Sequence, residues 1–296
     1  MNIQEKNNIQ HTKLCFFGSP QIAVWVLDEL KRTGIAPALI VTNPDARQGR
    51  NMILTPTPVA CWGDEHHVPV IKPESLHGEH VEQLLKNSGC ELFVVAAYGK
   101  LIPEAILNIP KYKTINMHPS LLPKLRGASP IRSAILEDMN PTGVSVMILT
   151  KGMDEGPLLA QREVSIQKEE WPLPGNLLDE RLAREGGALL SAVLPNWVSG
   201  DSIPVEQNHS EATYSTKITK EMGELNLKDS PYHNLLKIRA FDGWPGTFFF
   251  VEKNGTRTRI KVLDAEITKD GLLHITRVIP EGRHAMDYDT YIKSMQ

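Results

Sequence analysis

Lys13–Thr42 reads KLCFFGSPQIAVWVLDELKRTGIAPALIVT, and its two apolar runs with an amphipathic segment between them decide the fold. Lys13–Phe17 is short, apolar and aromatic, as a buried strand is. Gly18-Ser19-Pro20 stops it, with Ser19 suited to a helix N-cap and Pro20 to the first helical position. Gln21–Arg32 then carries Ile22, Trp25, Val26, Leu27 and Leu30 at helical spacing. Ala36–Thr42, APALIVT, is a second strand. Strand, helix and strand close a βαβ unit and imply a parallel sheet. Outward from this unit the alternation continues: a helix near Val59–His66, a strand at Val68–Ile71, a helix over Gly78–Asn87, a strand at Glu91–Ala97 and a helix near Glu104–Leu107. The fold class is therefore α/β, an open, doubly wound, mostly parallel sheet that takes ligands at the carboxyl ends of its strands. A single Gly18 stands where a dinucleotide fold would carry GxGxxG, so nothing specific supports a dinucleotide.

The chain has 296 residues, more than one typical domain, with 41% hydrophobic and 23% charged residues, as in an ordinary globular protein. A net charge of -3 excludes a molecule that is basic as a whole. The charge is uneven: Met1–Thr216 holds 19 Lys/Arg against 24 Asp/Glu, and Lys217–Gln296 holds 13 against 11. The C-terminal part thus leans toward a polyanionic partner. Cys15, Cys61 and Cys90 are far apart, odd in number and without a CxxC, which argues against a metal site or a disulfide framework and for a reducing cytoplasm. Asp64-Glu65-His66-His67 does not make a metal site, because neighbouring side chains on a helix diverge. Residues 1–12 are polar, lack an apolar signal-peptide core and read as a disordered tail, and no run approaches the length that spans a membrane.

The chemistry concentrates in Ile115–Gln161. In KYKTINMHPS, a β-branched and apolar run precedes Asn116 and His118, and Pro119 with Ser120 ends the strand. Residues two apart on an extended segment face the same side, so Asn116 and His118 can reach one atom together. Past the strand-like Gly143–Thr150, the segment KGMDEGP supplies a lone acid, Asp154. By residue type alone, His118 also suits an ordinary loop and Asp154 an ordinary turn. Between them Ser120–Gly127, SLLPKLRG, is an apolar-faced loop able to line a flat ligand, and Ser129-Pro130 opens a helix.

This stretch resembles the 10-formyltetrahydrofolate-dependent formyltransferases, whose pattern is an Asn, a His two residues later, SLLPxxRG, and an Asp some three dozen residues on. Asn116, His118, Ser120–Pro123, Arg126, Gly127 and Asp154 match it. The resemblance implies a Rossmann-like formyltransferase fold, Asn116, His118 and Asp154 as catalytic residues, and no metal. It implies 10-formyltetrahydrofolate as co-substrate, bordered by Ser120, Leu121, Leu122 and Pro123 and by Lys100, Leu101 and Ile102, which follow the strand VVAAYG.

The loop Asn43–Val59 resembles the PDxxxGR…TPxPV loop of the members that act on initiator methionyl-tRNA, so Arg50 and Arg47, with Arg126 and Gly127, are the expected contacts to that acceptor. Met52 and Ile53 stand where that loop is usually basic. By its residues alone the loop also suits a solvated crossover. ATYSTKI, FDGWPGTFFF, RIKV and RVIPEGRHAM resemble the C-terminal oligonucleotide/oligosaccharide-binding (OB) domain of those members, shortened here because only Leu263–Gly271 separates the last two. The expected organisation is a tail over 1–12, a catalytic domain over 13–199 whose last helix runs Asn176–Ser191, a turn-rich linker over 200–211, and a small β-rich, shortened OB-like barrel over 212–296. The expected function is formyl transfer to the α-amino group of methionyl initiator tRNA, by a monomer in the cytoplasm with no membrane partner. A sugar-nucleotide N-formyltransferase, with the same Asn, His and Asp, is the alternative.

Overall fold

The computed structural model of the chain describes residues 9–49, 52–253 and 255–295. The chain divides into two compact units. The first takes the described parts of Met1–Ala128, with Thr142–Val164 and Glu180–Tyr214, and the second takes Ser129–Pro141, Ser165–Asp179 and the described parts of Ser215–Gln296.

The first unit opens with β1 (Leu14–Phe17), α1 (Gln21–Arg32) and β2 (Leu39–Val41). All four residues of β1 are buried, and α1 turns Ala23, Val26, Leu27 and Leu30 inward at the spacing of one helical face. The helix begins one residue later than Ser19 and Pro20 suggest. Pro20 is its N-cap, and Ser19 Oγ instead accepts from the Asn43 backbone N–H at 3.1 Å. The chain then makes a hairpin from β3 (Ala46–Gln48) and β4 (Ile53–Thr55) and continues through α2 (Pro58–Glu65), β5 (Val70–Ile71), α3 (Glu79–Asn87), β6 (Leu92–Val95), α4 (Glu104–Leu107) and β7 (Thr114–His118). Strands β8 (Thr142–Ile148) and β9 (Leu158–Val164) complete a seven-stranded sheet of order β5-β2-β1-β6-β7-β8-β9. It is parallel from β5 to β7, and β8 and β9 join antiparallel. The mostly parallel, doubly wound sheet is as the sequence predicts.

In chain order, α5 (Pro130–Leu136) precedes β8, and α6 (Gly175–Ser199) follows β9. The sequence predicts an end of α6 at Ser191, four residues before Pro195, whose missing N–H costs one rung of the ladder. The helix continues because Leu194 and Val198 extend the buried stripe begun by Leu182, Ala183 and Leu190. Its Gly186-Gly187 pair is a contact surface. A Cβ on Gly186 would stand 2.6 Å from the Met117 thioether, and one on Gly187 2.7 Å from Glu29 Cβ, so only glycine lets α6 lie this close to β7 and α1.

The second unit holds α5, α7 (Pro231–Ala240), the strands β10 (Thr247–Lys253), β11 (Thr256–Ile267), β12 (Leu273–Pro280) and β13 (Met286–Asp287), and α8 (Tyr288–Met295). The four strands form an antiparallel sheet in chain order, with a register shift in β11 around Asp264. One face packs Phe249, Ile260, Val262, Ala265, Ile275 and Val278 against Ile238 and Tyr291. Arg132 of α5 is clamped by Asp179 at 2.7 and 2.8 Å. Ser129 is the N-cap of α5, but its side chain makes no cap, and its backbone N–H donates to Ser215 Oγ instead.

Candidate active site

All five residues of β7 are buried, and its central position in the sheet fixes their directions. Asn116 lies between Val95 and Met147, and His118 lies opposite Ser145. Asn116 is 8% and His118 4% exposed. Standing two apart, they share a face of the sheet.

Asp154 arrives from the turn between β8 and β9 with φ +50°, a left-handed conformation that few residues with a side chain adopt. Its Oδ2 accepts the Gly127 backbone N–H at 2.8 Å and lies 3.6 Å from His118 Nδ1. The other ring nitrogen, Nε2, is 2.9 Å from the Leu125 carbonyl oxygen. A carbonyl can only accept, so Nε2 carries a proton. Nδ1 is then the ring nitrogen that faces the Asp154 carboxylate.

The loop from Ser120 to Gly127 is held by polar groups on its flank. Ser145 Oγ donates to the Ser120 carbonyl at 2.6 Å and accepts the Leu122 N–H at 3.1 Å. Gln161 Nε2 donates to the Leu122 carbonyl at 2.7 Å and to Ser145 Oγ at 2.9 Å. Ser120 is itself 1% exposed, and its hydroxyl donates to the Lys124 carbonyl. Farther along, Leu125 N–H donates to Thr213 Oγ1, Arg126 N–H to the Thr213 carbonyl, and Thr213 N–H to the Pro123 carbonyl. Leu122 is buried, and Leu121 and Pro123 are partly exposed.

The remaining sequence-predicted residues are scattered. Leu101 is 76% exposed beyond β6, Ile102 is buried in the core, and Lys100 Nζ donates to the carbonyls of Pro73 and Glu74. In the segment that leads to them, burial pushes the Tyr98 phenol up to about 12. Arg47 sits on the exposed β3–β4 hairpin and donates to the Met52 carbonyl, and Arg50 lies outside the described residues. Arg126 is 1% exposed. Its Nε and Nη2 donate to Gln207 Oε1 at 3.2 and 2.7 Å, and Nη2 also meets His209 Nδ1 at 3.1 Å.

Sequence reasoning missed Ser145, Gln161 and Gln207. Ser145 had a signal, a small polar residue inside the apolar run of β8. Gln161 escaped because the edge strand β9, partly exposed along its length, lacks a continuous apolar run. Gln207 lies in the turn-rich stretch expected to link domains, where Val205 in fact pairs with Leu158 of β9.

The formyl transferase family model matches residues 12–194, and the model of the formyl transferase C-terminal domain matches residues 217–270. A methionyl-tRNA formyltransferase of Sulfurihydrogenibium sp. (strain YO3AOP1) is 37% identical over 261 residues, which is 88% of this chain and 82% of that protein. Among solved structures, a methionyl-tRNA formyltransferase from Clostridium thermocellum aligns with TM-score 0.60 and 15% identity over 93% of this chain and 99% of that one. A sugar N-formyltransferase from Shewanella sp. FDAARGOS_354 aligns with TM-score 0.61 and 18% identity over 83% of this chain and 95% of that one. The likeness to both structures is one of fold and does not separate their acceptors.

Proposed function

The chain belongs to the formyl transferase family, and on that premise we propose that it moves a formyl group from 10-formyltetrahydrofolate to the α-amino group of methionine esterified to initiator tRNA. The observation that carries this reading is the meeting of His118 and Asp154 at 3.6 Å, on the face of β7 that Asn116 shares, in a chain 37% identical to a methionyl-tRNA formyltransferase over 88% of its length.

In this mechanism the amine nitrogen attacks the formyl carbon, and the carbonyl oxygen becomes an oxyanion. The carboxamide NH2 of Asn116 and the charged ring of His118 stabilise that oxygen. The Asp154 carboxylate holds that imidazolium in place and takes the proton lost by the attacking amine. Collapse breaks the bond from carbon to the folate nitrogen, and the proton passes to that leaving nitrogen. The products are the formylated amine and tetrahydrofolate. No side chain forms a covalent bond, and no metal enters the scheme.

The folate is assigned to Ser120, Leu121, Leu122 and Pro123, which offer backbone groups and apolar carbon, and to Lys100, Leu101 and Ile102. Gly127, Arg47 and Arg50 serve the acceptor. The second unit adds a surface suited to nucleic acid. On the outer face of its sheet Arg259 lies 3.7 Å over the Phe248 ring and Arg257 3.7 Å over Phe250. A cleft of about 440 Å³ beside them is lined by Trp244, Pro245, Lys220, Glu221 and Glu224. Aromatic rings interleaved with guanidinium groups suit stacked bases and phosphate. The protein works as a monomer in the cytoplasm, where initiator tRNA is charged, and no helix among the described residues is long and apolar enough to cross a membrane.

The test is formyl transfer from 10-formyltetrahydrofolate to methionyl initiator tRNA, beside a panel of nucleotide-linked aminosugars, at low and moderate salt. Turnover on the tRNA that weakens with salt is the expected result. Turnover on an aminosugar alone would overturn the acceptor and leave the donor chemistry standing.

A further inference from the structure

Asp154 holds an uncommon backbone conformation at a position where its carboxylate must stay near His118, and the structure accounts for how it is held. Gln207 is 4% exposed, and all of its hydrogen-bonding capacity is turned inward. Its Nε2 donates to the backbone carbonyls of Asp154 at 2.9 Å and of Gly156 at 2.7 Å, bridging the turn that carries the acid. Its Oε1 accepts two bonds from Arg126, a guanidinium that is 1% exposed. Arg126 in turn precedes Gly127, whose N–H donates to Asp154 Oδ2. The chain of contacts thus closes on itself, from Arg126 through Gln207 to the Asp154 backbone, and from the Asp154 carboxylate back to Gly127.

We propose that Gln207 is a positioning residue for the transfer reaction: it fixes the Asp154 turn so that the carboxylate faces His118 Nδ1, and Arg126 orients the Gln207 amide. This rests on the reading of Asn116, His118 and Asp154 as the reacting set. A carboxamide is required at 207, since the site needs an acceptor toward Arg126 and two N–H donors toward the turn. The buried Arg126 accordingly acts through Gln207. Misplacing an acid by about 1 Å costs on the order of 100-fold in rate, so a change at 207 is felt in turnover.

Gln207→Glu separates the two halves of the amide. It keeps an acceptor for Arg126 but sets carboxylate oxygens against the Asp154 and Gly156 carbonyls. Gln207→Met keeps the length and removes both functions. Each is compared with wild type and with Asp154→Asn for kcat, for KM toward the formyl donor, and for thermal unfolding. The expected result is a kcat lowered about 10- to 100-fold in both variants with KM within about twofold. In the Asp154→Asn background the same changes should cost less than about threefold, because the group they position is gone. Full turnover in a folded Gln207→Met, or losses that multiply with Asp154→Asn, would overturn the proposal. If either variant fails to fold, the other decides. If wild type formylates neither methionyl-tRNA nor an aminosugar, the functional reading falls, and Gln207 is judged on the nitrogen resonances of the His118 ring. There Gln207→Met must shift the Nδ1 signal as Asp154→Asn does, and an unmoved signal refutes it.

Discussion

Strands β1, β6 and β7 of the first sheet are buried at every residue, whereas β11 of the second alternates buried Ile260, Val262 and Ala265 with exposed Arg259, Lys261 and Glu266. A sheet buried on both faces can offer chemistry only where its strands end, and Asn116 and His118 accordingly lie in the last three residues of β7. A sheet buried on one face can offer the whole of the other. The first geometry suits a reaction, which needs a few atoms held still, and the second suits grip on an extended partner.

The comparison can be broken first at the strand end. Asn116→Ala or His118→Ala should lower kcat about 100- to 1000-fold, as loss of a preorganised donor does, while 10-formyltetrahydrofolate binds as before. A fall in affinity of the same size, with kcat unchanged, would place these groups in binding. The next largest effect is expected behind the strand. Gly186→Ala forces a methyl group onto Met117 and should cost about 1–3 kcal/mol in urea unfolding. Wild-type stability there would mean that α6 can draw back from β7 freely. On the open face, Arg257→Gln and Arg259→Gln should each lower the slope of log affinity for tRNA against log salt by about 1 and leave kcat alone at saturating tRNA. An unchanged slope would assign the stacked face to packing alone. The smallest effect sharpens the contrast: Leu101→Ser, at a side chain 76% exposed, should alter stability by less than about 0.5 kcal/mol yet raise KM for the folate donor.

Much of this was legible in the sequence, and the reasons differ by region. The unit Leu14–Val41 announced itself because buried parallel strands are continuous apolar runs and α1 keeps one face inward. Asn116 and His118 were legible because a strand period puts i and i+2 together, and Asp154 through its resemblance. The hairpin of β3 and β4 was not, since Ile53 and Leu54 are exposed and pack on little that a pattern could report. Gln207 was hidden for another reason. Its partners are Arg126, 81 residues away, and backbone carbonyls 51 and 53 residues away, and no local periodicity encodes a bond to a distant backbone. A buried arginine needs such a partner, but burial of Arg126 is itself a property of the fold.

The three hydrogen bonds between Thr213 and Pro123, Leu125 and Arg126 also bear on the order in which the enzyme is made. A growing polypeptide that has emerged as far as Ser199 already contains Asn116, His118 and Asp154, together with all seven strands of the sheet that supports them. It does not yet contain the segment that stitches the loop between them. Domains fold as they leave the ribosome, N-terminal parts first, so the nascent chain passes through a stage in which Asn116, His118 and Asp154 are present and the loop between them is not yet stitched. On the roles proposed above, competence for formyl transfer arrives late in translation, when Gln207 and Thr213 dock.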